Sequence, residues 1–152
     1  MGLNQLIIKY STPGPRYTSY PTAPQWSETV GSSQYREALG RVDVKDPIAL
    51  YAHLPFCEKL CYYCGCNIQI TGDKERSRPY VQRVLQELNK VAGAISGRPR
   101  LAQISWGGGT PTFLTLEEIR SLHLATLEYF DVEPSAEVSI EIDPRVTTAE
   151  QL

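Results

Sequence analysis

The sequence has no excess of basic residues and no long apolar run. Lysine and arginine number 15 against 17 aspartates and glutamates, a formal net charge of −2 over 152 residues. This balance gives no basic face, so the composition does not favour nucleic acid as a partner. No apolar run approaches the roughly eighteen residues that a membrane-spanning helix needs. We therefore expect neither nucleic-acid binding nor a membrane span.

The N-terminal residues also lack the apolar core of a secretory signal peptide. Few apolar residues follow Met1 before Lys9, and Pro13 and Pro15 come soon after. The apolar content of 41% is enough for a packed core, and the length fits one domain or part of one. Cysteines without a signal peptide are typical of a reducing compartment, so the sequence predicts a cytoplasmic protein.

The cysteines are few but crowded. All four lie within one stretch, at Cys57, Cys61, Cys64 and Cys66. The first three have the spacing Cys-x3-Cys-x2-Cys, and a loop of this kind can aim three thiolates at an iron–sulfur cluster. Three ligands leave one iron open to a small molecule, and an open position is typical of catalytic metal sites.

Other interpretations of the cysteines remain open from spacing alone. Structural zinc usually binds two pairs of ligands that are well separated along the chain, whereas these sulfurs are crowded. A disulfide framework suits a small secreted chain. Four unrelated core cysteines are the least favoured, because random placement would not bring all four together.

Hydrophobic periodicity predicts that strands and helices alternate along the chain. The strands are predicted at 47–54, 101–106 and 136–142, and the helices begin at Ser77 and Thr115. Such alternation is typical of an α/β fold with right-handed crossovers and parallel strands. No second histidine lies near His53, so its spacing favours an ordinary hydrogen-bonded histidine over a metal ligand.

Two further features fall at the carboxyl ends of predicted strands. The run Gly107-Gly-Gly-Thr-Pro111 follows the second strand, where backbone amides could approach a ligand closely, although a plain tight turn explains it equally well. Alternation in the third strand puts Glu141 on one face with Glu137 and Ser139, either pointing into a barrel or solvated at an edge. Because the carboxyl ends of parallel strands share one edge, both features should lie near the cysteine loop.

The motif Tyr51-x-His53-x-Pro55-Phe56-Cys57-x3-Cys61-x-Tyr63-Cys64-x-Cys66 resembles the cluster loop of radical S-adenosylmethionine (SAM) enzymes. More narrowly, it is similar to that of the oxygen-independent coproporphyrinogen III oxidases. The similarity extends from about Tyr10 to Arg145, but those enzymes are much longer. It implies an incomplete TIM-type partial barrel of about three βα units over residues 47–152. An irregular N-terminal arm with a short helix, residues 1–46, would precede it.

The resemblance also implies which residues form the site. Cys57, Cys61 and Cys64 would hold a [4Fe–4S] cluster, and Cys66 would lie outside this triad in a role left open. Arg16, in the arm, could pair with a propionate carboxylate of the substrate, because a guanidinium matches a carboxylate. The residues implied to bind SAM are Tyr51, Tyr63, Gly108, Gly109, Thr110 and Glu141. The family binds a second SAM as well, partly through residues beyond 152.

The activity implied by the resemblance is that of a radical SAM oxidoreductase of porphyrin biosynthesis. Two propionates of coproporphyrinogen III become vinyl groups, giving protoporphyrinogen IX, with an electron donor as partner. The full-length enzyme would be a monomer, and this portion alone would be inactive. The haem-chaperone branch of the superfamily is the nearest rival, disfavoured by Cys66 and by residues 14–23. A non-catalytic metal-binding fragment, with zinc on the four cysteines, is the alternative from another class.

Overall fold

The structure is a computed structural model that describes residues 2–11 and 22–152. The chain divides into two compact units, Met1–Ser33 and Gln34–Leu152. The first unit contains helix α1 (Leu3–Tyr10), which the sequence prediction of an irregular arm had missed. Its apolar residues at positions 3, 6, 7 and 10 have helical spacing, and this was the available signal. Arg16 lies outside the described residues.

The second unit is built on a three-stranded parallel sheet. Helix α2 (Ser32–Gly40) begins at the boundary between the two units, where a short helix was predicted. The strands and remaining α-helices are β1 (Ile48–Leu54), β2 (Phe56–Cys57), β3 (Gln69–Ile70), α3 (Ser77–Ala94), β4 (Arg100–Gly108), α4 (Leu116–Tyr129) and β5 (Asp131–Ile140). The sheet has the order β1-β4-β5, and both strand pairs are parallel. This open sheet confirms the predicted α/β fold with parallel strands.

The two faces of the sheet differ in how well they are covered. Buried residues of α3 and α4 form one core with those of β4 and with aromatic residues that follow the strands. The core consists of Leu54, Phe56, Val81, Leu88, Leu101, Ile104, Trp106, Phe113, Leu114, Leu122 and Phe130. On the other face, Tyr51 is 57% exposed and Glu137 is also exposed. Side chains on this second face are therefore available to a ligand.

The N-termini of α3 and α4 are tied together by a buried serine. Ser77 is fully buried, and its hydroxyl lies 2.7 Å from the carbonyl of Lys74 and 2.9 Å from a carboxylate oxygen of Glu118. Glu118 also closes the predicted capping box of α4, because it accepts the N–H of Thr115 while the Thr115 hydroxyl accepts the N–H of Glu118. None of the described helices combines the length and apolar character required to traverse a bilayer.

Strand β5 begins earlier and ends earlier than predicted. The sequence placed it at 136–142, whereas it extends from Asp131 to Ile140 with an irregularity near its start. Pro134 explains the irregularity, because proline has no N–H to donate to the neighbouring strand. Glu141 lies one residue beyond the strand, but its N–H still donates to the carbonyl of Trp106 over 2.9 Å. Pairing with β4 therefore fixes the backbone of Glu141.

Candidate active site

A miniature sheet closes the cysteine loop at its base. β2 pairs in parallel with β3, so that Phe56 lies opposite Gln69 and Cys57 opposite Ile70. The N–H of Gln69 donates to the carbonyl of Pro55 over 2.7 Å, and the N–H of Thr71 donates to that of Cys57 over 2.9 Å. These bonds join the two ends of the loop directly after β1, so the intervening residues project beyond the carboxyl end of the sheet.

All four thiols line one open cleft of about 580 Å³ at this edge of the sheet. None of them forms a disulfide. Cys57 and Cys64 are half-buried, whereas Cys61 and Cys66 are exposed. The wall across from the loop is formed by the glycine turn after β4 and by residues 141–145. The predicted convergence of three strand ends is therefore observed.

The glycine turn fits only because three side chains are absent. A Cβ on Gly107 would lie 2.9 Å from the carboxyl carbon of Glu141, and one on Gly109 would lie 2.6 Å from the carbonyl carbon of Pro55. Gly108 has a φ of +108°, and a Cβ there would lie 2.4 Å from the His53 ring. Each glycine thus permits a different close approach to the turn.

The amides of this turn donate within the protein. The N–H of Gly108 donates to a carboxylate oxygen of Glu141 over 2.9 Å. The N–H of Gly109 donates to Leu54 O over 2.9 Å, and the N–H of Thr110 donates to Phe56 O over 2.8 Å. These amides therefore cannot be the groups that approach a ligand, as the sequence had suggested. Two carbonyls of the turn are occupied as well, because Thr110 O accepts the N–H of Phe113 and Pro111 O accepts that of Leu114.

His53 connects the strand, the cysteine loop and the glycine turn. Its Nε2 lies 2.8 Å from the carbonyl oxygen of Asn67, so Nε2 must carry the proton that is donated. In the neutral ring Nδ1 is then the acceptor for the Tyr51 hydroxyl, 3.1 Å away. The backbone carbonyl of His53 accepts a further bond from the Tyr80 hydroxyl over 2.8 Å. Both ring nitrogens of His53 are thus engaged in hydrogen bonds, which agrees with the hydrogen-bonded histidine that the sequence favoured.

Acidic groups in and beside the cleft shift one another's pKa values. Partial desolvation raises the pKa of the Cys66 thiol, and the nearby Cys64 thiol and Glu141 carboxylate raise it further. The pKa of Tyr51 is also raised, first by desolvation and then by Glu141. In the lining of the cleft, hydrogen bonds from Arg145 lower the pKa of Asp143 to about 2. The Asp143–Arg145 pair is therefore ionised throughout the neutral pH range.

Most of the predicted site residues that the structure describes line the cleft, and one does not. Those lining the cleft are Cys57, Cys61, Cys64, Tyr63, Gly108, Gly109, Thr110 and Glu141. Cys66 also lines it, close to Cys64. Tyr51 does not line the cleft, and it reaches the site through its hydrogen bond to His53. Arg16 stays a prediction, because it lies outside the described residues.

Sequence reasoning missed two features of the site. Asp143 and Arg145 line the cleft as an ion pair with a shortest N–O distance of 2.6 Å. The two residues flank Pro144 just beyond β5, so their charges at a strand end were the available signal. The second feature is a contact between the Thr110 hydroxyl and Cys57, for which residues 53 apart in sequence give no local signal.

The donor set fits an iron–sulfur cluster. Three free thiols on one short loop are the ligands that such clusters use. Among the described residues, no three of the His, Cys, Asp and Glu side chains are grouped closely enough for a single metal ion. Cysteines that ligate a cluster bind different iron atoms, so their sulfurs need not meet at one point. The wall that faces the cysteine loop carries the polar side chains of Thr110, Glu141, Asp143 and Arg145. A small molecule bound to an open iron would lie in the same cleft as these groups.

The fold and this loop define a class of protein. The family model described as the radical SAM superfamily matches residues 51–152, and the chain belongs to that superfamily. Among its relatives, the oxygen-independent coproporphyrinogen III oxidase of Escherichia coli (strain K12) is 44% identical over 140 residues, covering 92% of this chain and 30% of that protein. The protein of the same name from Mannheimia haemolytica is 42% identical over 139 residues, covering 91% of this chain and 94% of its own length. Within the superfamily, the chain belongs to the family of these oxygen-independent coproporphyrinogen III oxidases.

A solved structure gives the same result. The coproporphyrinogen III oxidase of Escherichia coli, described as a radical SAM enzyme, matches with a TM-score of 0.79 and 40% identity. The match covers 93% of this chain and 31% of that one. The chain thus spans about a third of the solved enzyme. This confirms the α/β fold as part of a radical SAM domain.

Proposed function

We propose that this chain forms the first part of the catalytic domain of an oxygen-independent coproporphyrinogen III oxidase, with residues 47–152 as the barrel portion and 1–46 as the arm. The observation that carries the proposal is the single cleft shared by the cysteine loop, the glycine turn and Glu141. The names of the relatives support the substrate. The reaction would convert two propionates of coproporphyrinogen III into vinyl groups, giving protoporphyrinogen IX in porphyrin and haem biosynthesis.

Cys57, Cys61 and Cys64 would hold a [4Fe–4S] cluster, and SAM would occupy the space beside them. When bound, these two groups would supply the radical chemistry that takes a hydrogen atom from a propionate chain, and conversion of that propionate to vinyl also releases carbon dioxide and one electron. The protein's part is to bind, orient and shield these groups. Gly108 and Gly109 of the turn border the cleft with backbone atoms only, so no side chain of theirs separates a bound ligand from the edge of the sheet.

Other residues would position SAM around that space. The Glu141 carboxylate is held by the N–H of Gly108 and is directed into the cleft, where its charge suits the cationic groups of SAM. Tyr63 is 92% exposed on the loop, which leaves its ring free to stack on an adenine. Gly108 and Gly109 offer carbonyls, and Tyr51 acts through His53. The proposal also includes a second SAM, and Arg16 as the partner of a substrate propionate.

The proposal includes a cellular setting and partners. Four free thiols suit a reducing compartment, so we assign the protein to the cytoplasm. An electron donor must reduce the cluster once for each cleavage of SAM. The net charge of −2 gives no basis for a nucleic-acid partner. The whole enzyme is proposed to act as a monomer on a small molecule.

Electron paramagnetic resonance (EPR) of the reconstituted protein tests the proposal. The longest natural polypeptide that contains these residues is treated anaerobically with iron and sulfide, reduced, and measured before and after SAM is added. We expect a [4Fe–4S] signal that changes with SAM, because SAM occupies the open iron. A signal indifferent to SAM, or a colourless zinc protein, would overturn the assignment. Conversion of coproporphyrinogen III, followed by chromatography, separates an oxidase from a haem chaperone.

Replacing Glu141 with glutamine should weaken SAM binding about tenfold without loss of the cluster. Glutamine retains an oxygen that accepts the Gly108 N–H, so the change removes mainly the negative charge. Charge-assisted hydrogen bonds are worth about 1.5–3 kcal/mol, and solvent exposure of Glu141 puts the effect at the lower end. Anaerobic calorimetry of SAM binding measures it, with Glu137→Gln as the matched control on the same face. Equal affinities in wild type and Glu141→Gln would refute the role of Glu141.

A further inference from the structure

Thr110 has its polar groups directed into the protein. Only 9% of the residue is exposed. Its N–H donates to the carbonyl of Phe56 and its own carbonyl accepts the N–H of Phe113, each over 2.8 Å. Its hydroxyl oxygen lies 3.5 Å from Sγ of Cys57. The hydroxyl therefore faces a proposed cluster ligand, while the SAM contact predicted for Thr110 from sequence stays a prediction.

The chemistry of a cluster ligand fixes the direction of this hydrogen bond. In the free protein either the thiol or the hydroxyl could be the donor. A cysteine that binds iron does so as a thiolate, which has no proton to give. Once Cys57 holds the cluster, the Thr110 hydroxyl must be the donor and the sulfur the acceptor.

We propose that Thr110 donates a hydrogen bond to the Cys57 thiolate and thereby raises the reduction potential of the cluster. The inference rests on the proposed function, because it requires the cluster on Cys57. Reduction adds one negative charge to the cluster, so a donor to a ligand sulfur stabilises the reduced form more than the oxidised form. Hydrogen bonds to the sulfurs are among the factors that set the potentials of iron–sulfur centres.

Backbone hydrogen bonds hold residue Thr110 beside Cys57. Thr110 is bonded to Phe56, the residue next to Cys57, and the preceding Gly109 donates to Leu54. Cys57 is fixed in turn by its pairing with Ile70. The contact between the Thr110 hydroxyl oxygen and Cys57 Sγ therefore depends on the packing of the glycine turn against β2. This arrangement does not depend on the residues of the cysteine loop between Cys57 and Gln69.

Burial distinguishes this contact from the surroundings of the exposed ligand Cys61. Cys61 is exposed, so water can supply hydrogen bonds to its sulfur, whereas Cys57 is half-buried beside a buried threonine. A hydrogen bond in such a low-dielectric setting is electrostatically stronger than one in water. Removal of the hydroxyl without room for water would therefore leave the Cys57 sulfur without this donor.

The test compares reduction potentials of three variants with that of the wild type in the longest natural polypeptide containing this chain. Thr110→Val removes the hydroxyl at constant shape, and Thr110→Ser restores it. Thr112→Val is the matched control, because Thr112 is buried directly after the same turn but its hydroxyl contacts Thr147, 2.6 Å away, and not a cysteine. Each reconstituted protein is titrated anaerobically with the EPR signal of the reduced cluster as the readout.

We expect Thr110→Val to lower the ratio of reduced to oxidised cluster about tenfold at the wild-type midpoint. For a one-electron couple this corresponds to a shift of about 59 mV to more negative potential. Thr110→Ser and Thr112→Val should keep the wild-type potential. Iron content is measured alongside, so that potentials are compared at equal loading.

The possible outcomes separate this inference from the proposed function. Absence of a cluster in the wild type would refute the proposed function. A cluster in the wild type with an unchanged potential in Thr110→Val would overturn only the inference. If Thr110→Val does not assemble a cluster, Thr110→Ala replaces it. A lowered potential in Thr110→Ala supports the inference, while a wild-type potential or no cluster overturns tuning in favour of a purely structural threonine.

Discussion

Alanine at Cys57, Cys61 or Cys64 is expected to abolish assembly of the iron–sulfur cluster. Each replacement removes one of three thiolates, and a cluster held by two protein ligands exposes a further iron to solvent and chelators. Iron should fall from about four atoms per chain, the content of a [4Fe–4S] cluster, to background. Acid-labile sulfide should fall in parallel. Both are measured after anaerobic reconstitution and removal of unbound iron.

Cys66→Ala is the matched control for these three variants. Cys66 is an exposed free thiol that lines the same cleft, so its replacement changes the thiol count by the same amount. We expect it to retain iron and sulfide at the wild-type level. Loss of cluster from Cys66→Ala equal to that of the other three would contradict the ligand assignment and favour a site made by four cysteines. Circular dichroism of the four apoproteins verifies that the fold survives in each.

Strong periodicity made the frame of the second unit predictable. Apolar spacing placed β1, α3 and β4 within a few residues of their observed bounds, because their side chains pack into one core. Parallel connectivity then implied that the cysteine loop, the glycine turn and Glu141 would meet, and all three line the cleft. These inferences needed only the period of burial and the handedness of the crossovers.

The missed features depend on contacts between distant parts of the chain. β2 and β3 are two residues long and exist only because the ends of the cysteine loop meet, so neither has a periodic signature. The early start of β5 depends on its pairing with β4, whose register shifts opposite the segment of β5 that contains Pro134. The Thr110 hydroxyl could equally have faced a ligand, and only the packing of the turn against Phe56 directs it to Cys57.

Gly108→Ala is expected to destabilise the chain by more than backbone strain alone, because the new methyl group would also meet the His53 ring. The φ of +108° is one that alanine rarely adopts, at a cost of about 1–3 kcal/mol. The new methyl group would also lie 2.4 Å from the His53 ring. That ring is hydrogen-bonded at both nitrogens, so moving it costs about another 1–3 kcal/mol. Urea unfolding of this chain measures the change in the free energy of unfolding.

Gly97→Ala separates the backbone strain at Gly108 from the clash with His53. Gly97 has a nearly equal φ of +111°, but a Cβ there would meet only the side chain of Val44, at 3.2 Å. Gly97→Ala should therefore cost about 1–3 kcal/mol from strain alone. The double variant Gly108→Ala/His53→Ala should be less destabilised than the sum of its single variants, because the methyl group then occupies the space of the missing ring. Equal losses in Gly97→Ala and Gly108→Ala, or strict additivity in the double variant, would show that His53 does not restrict the turn.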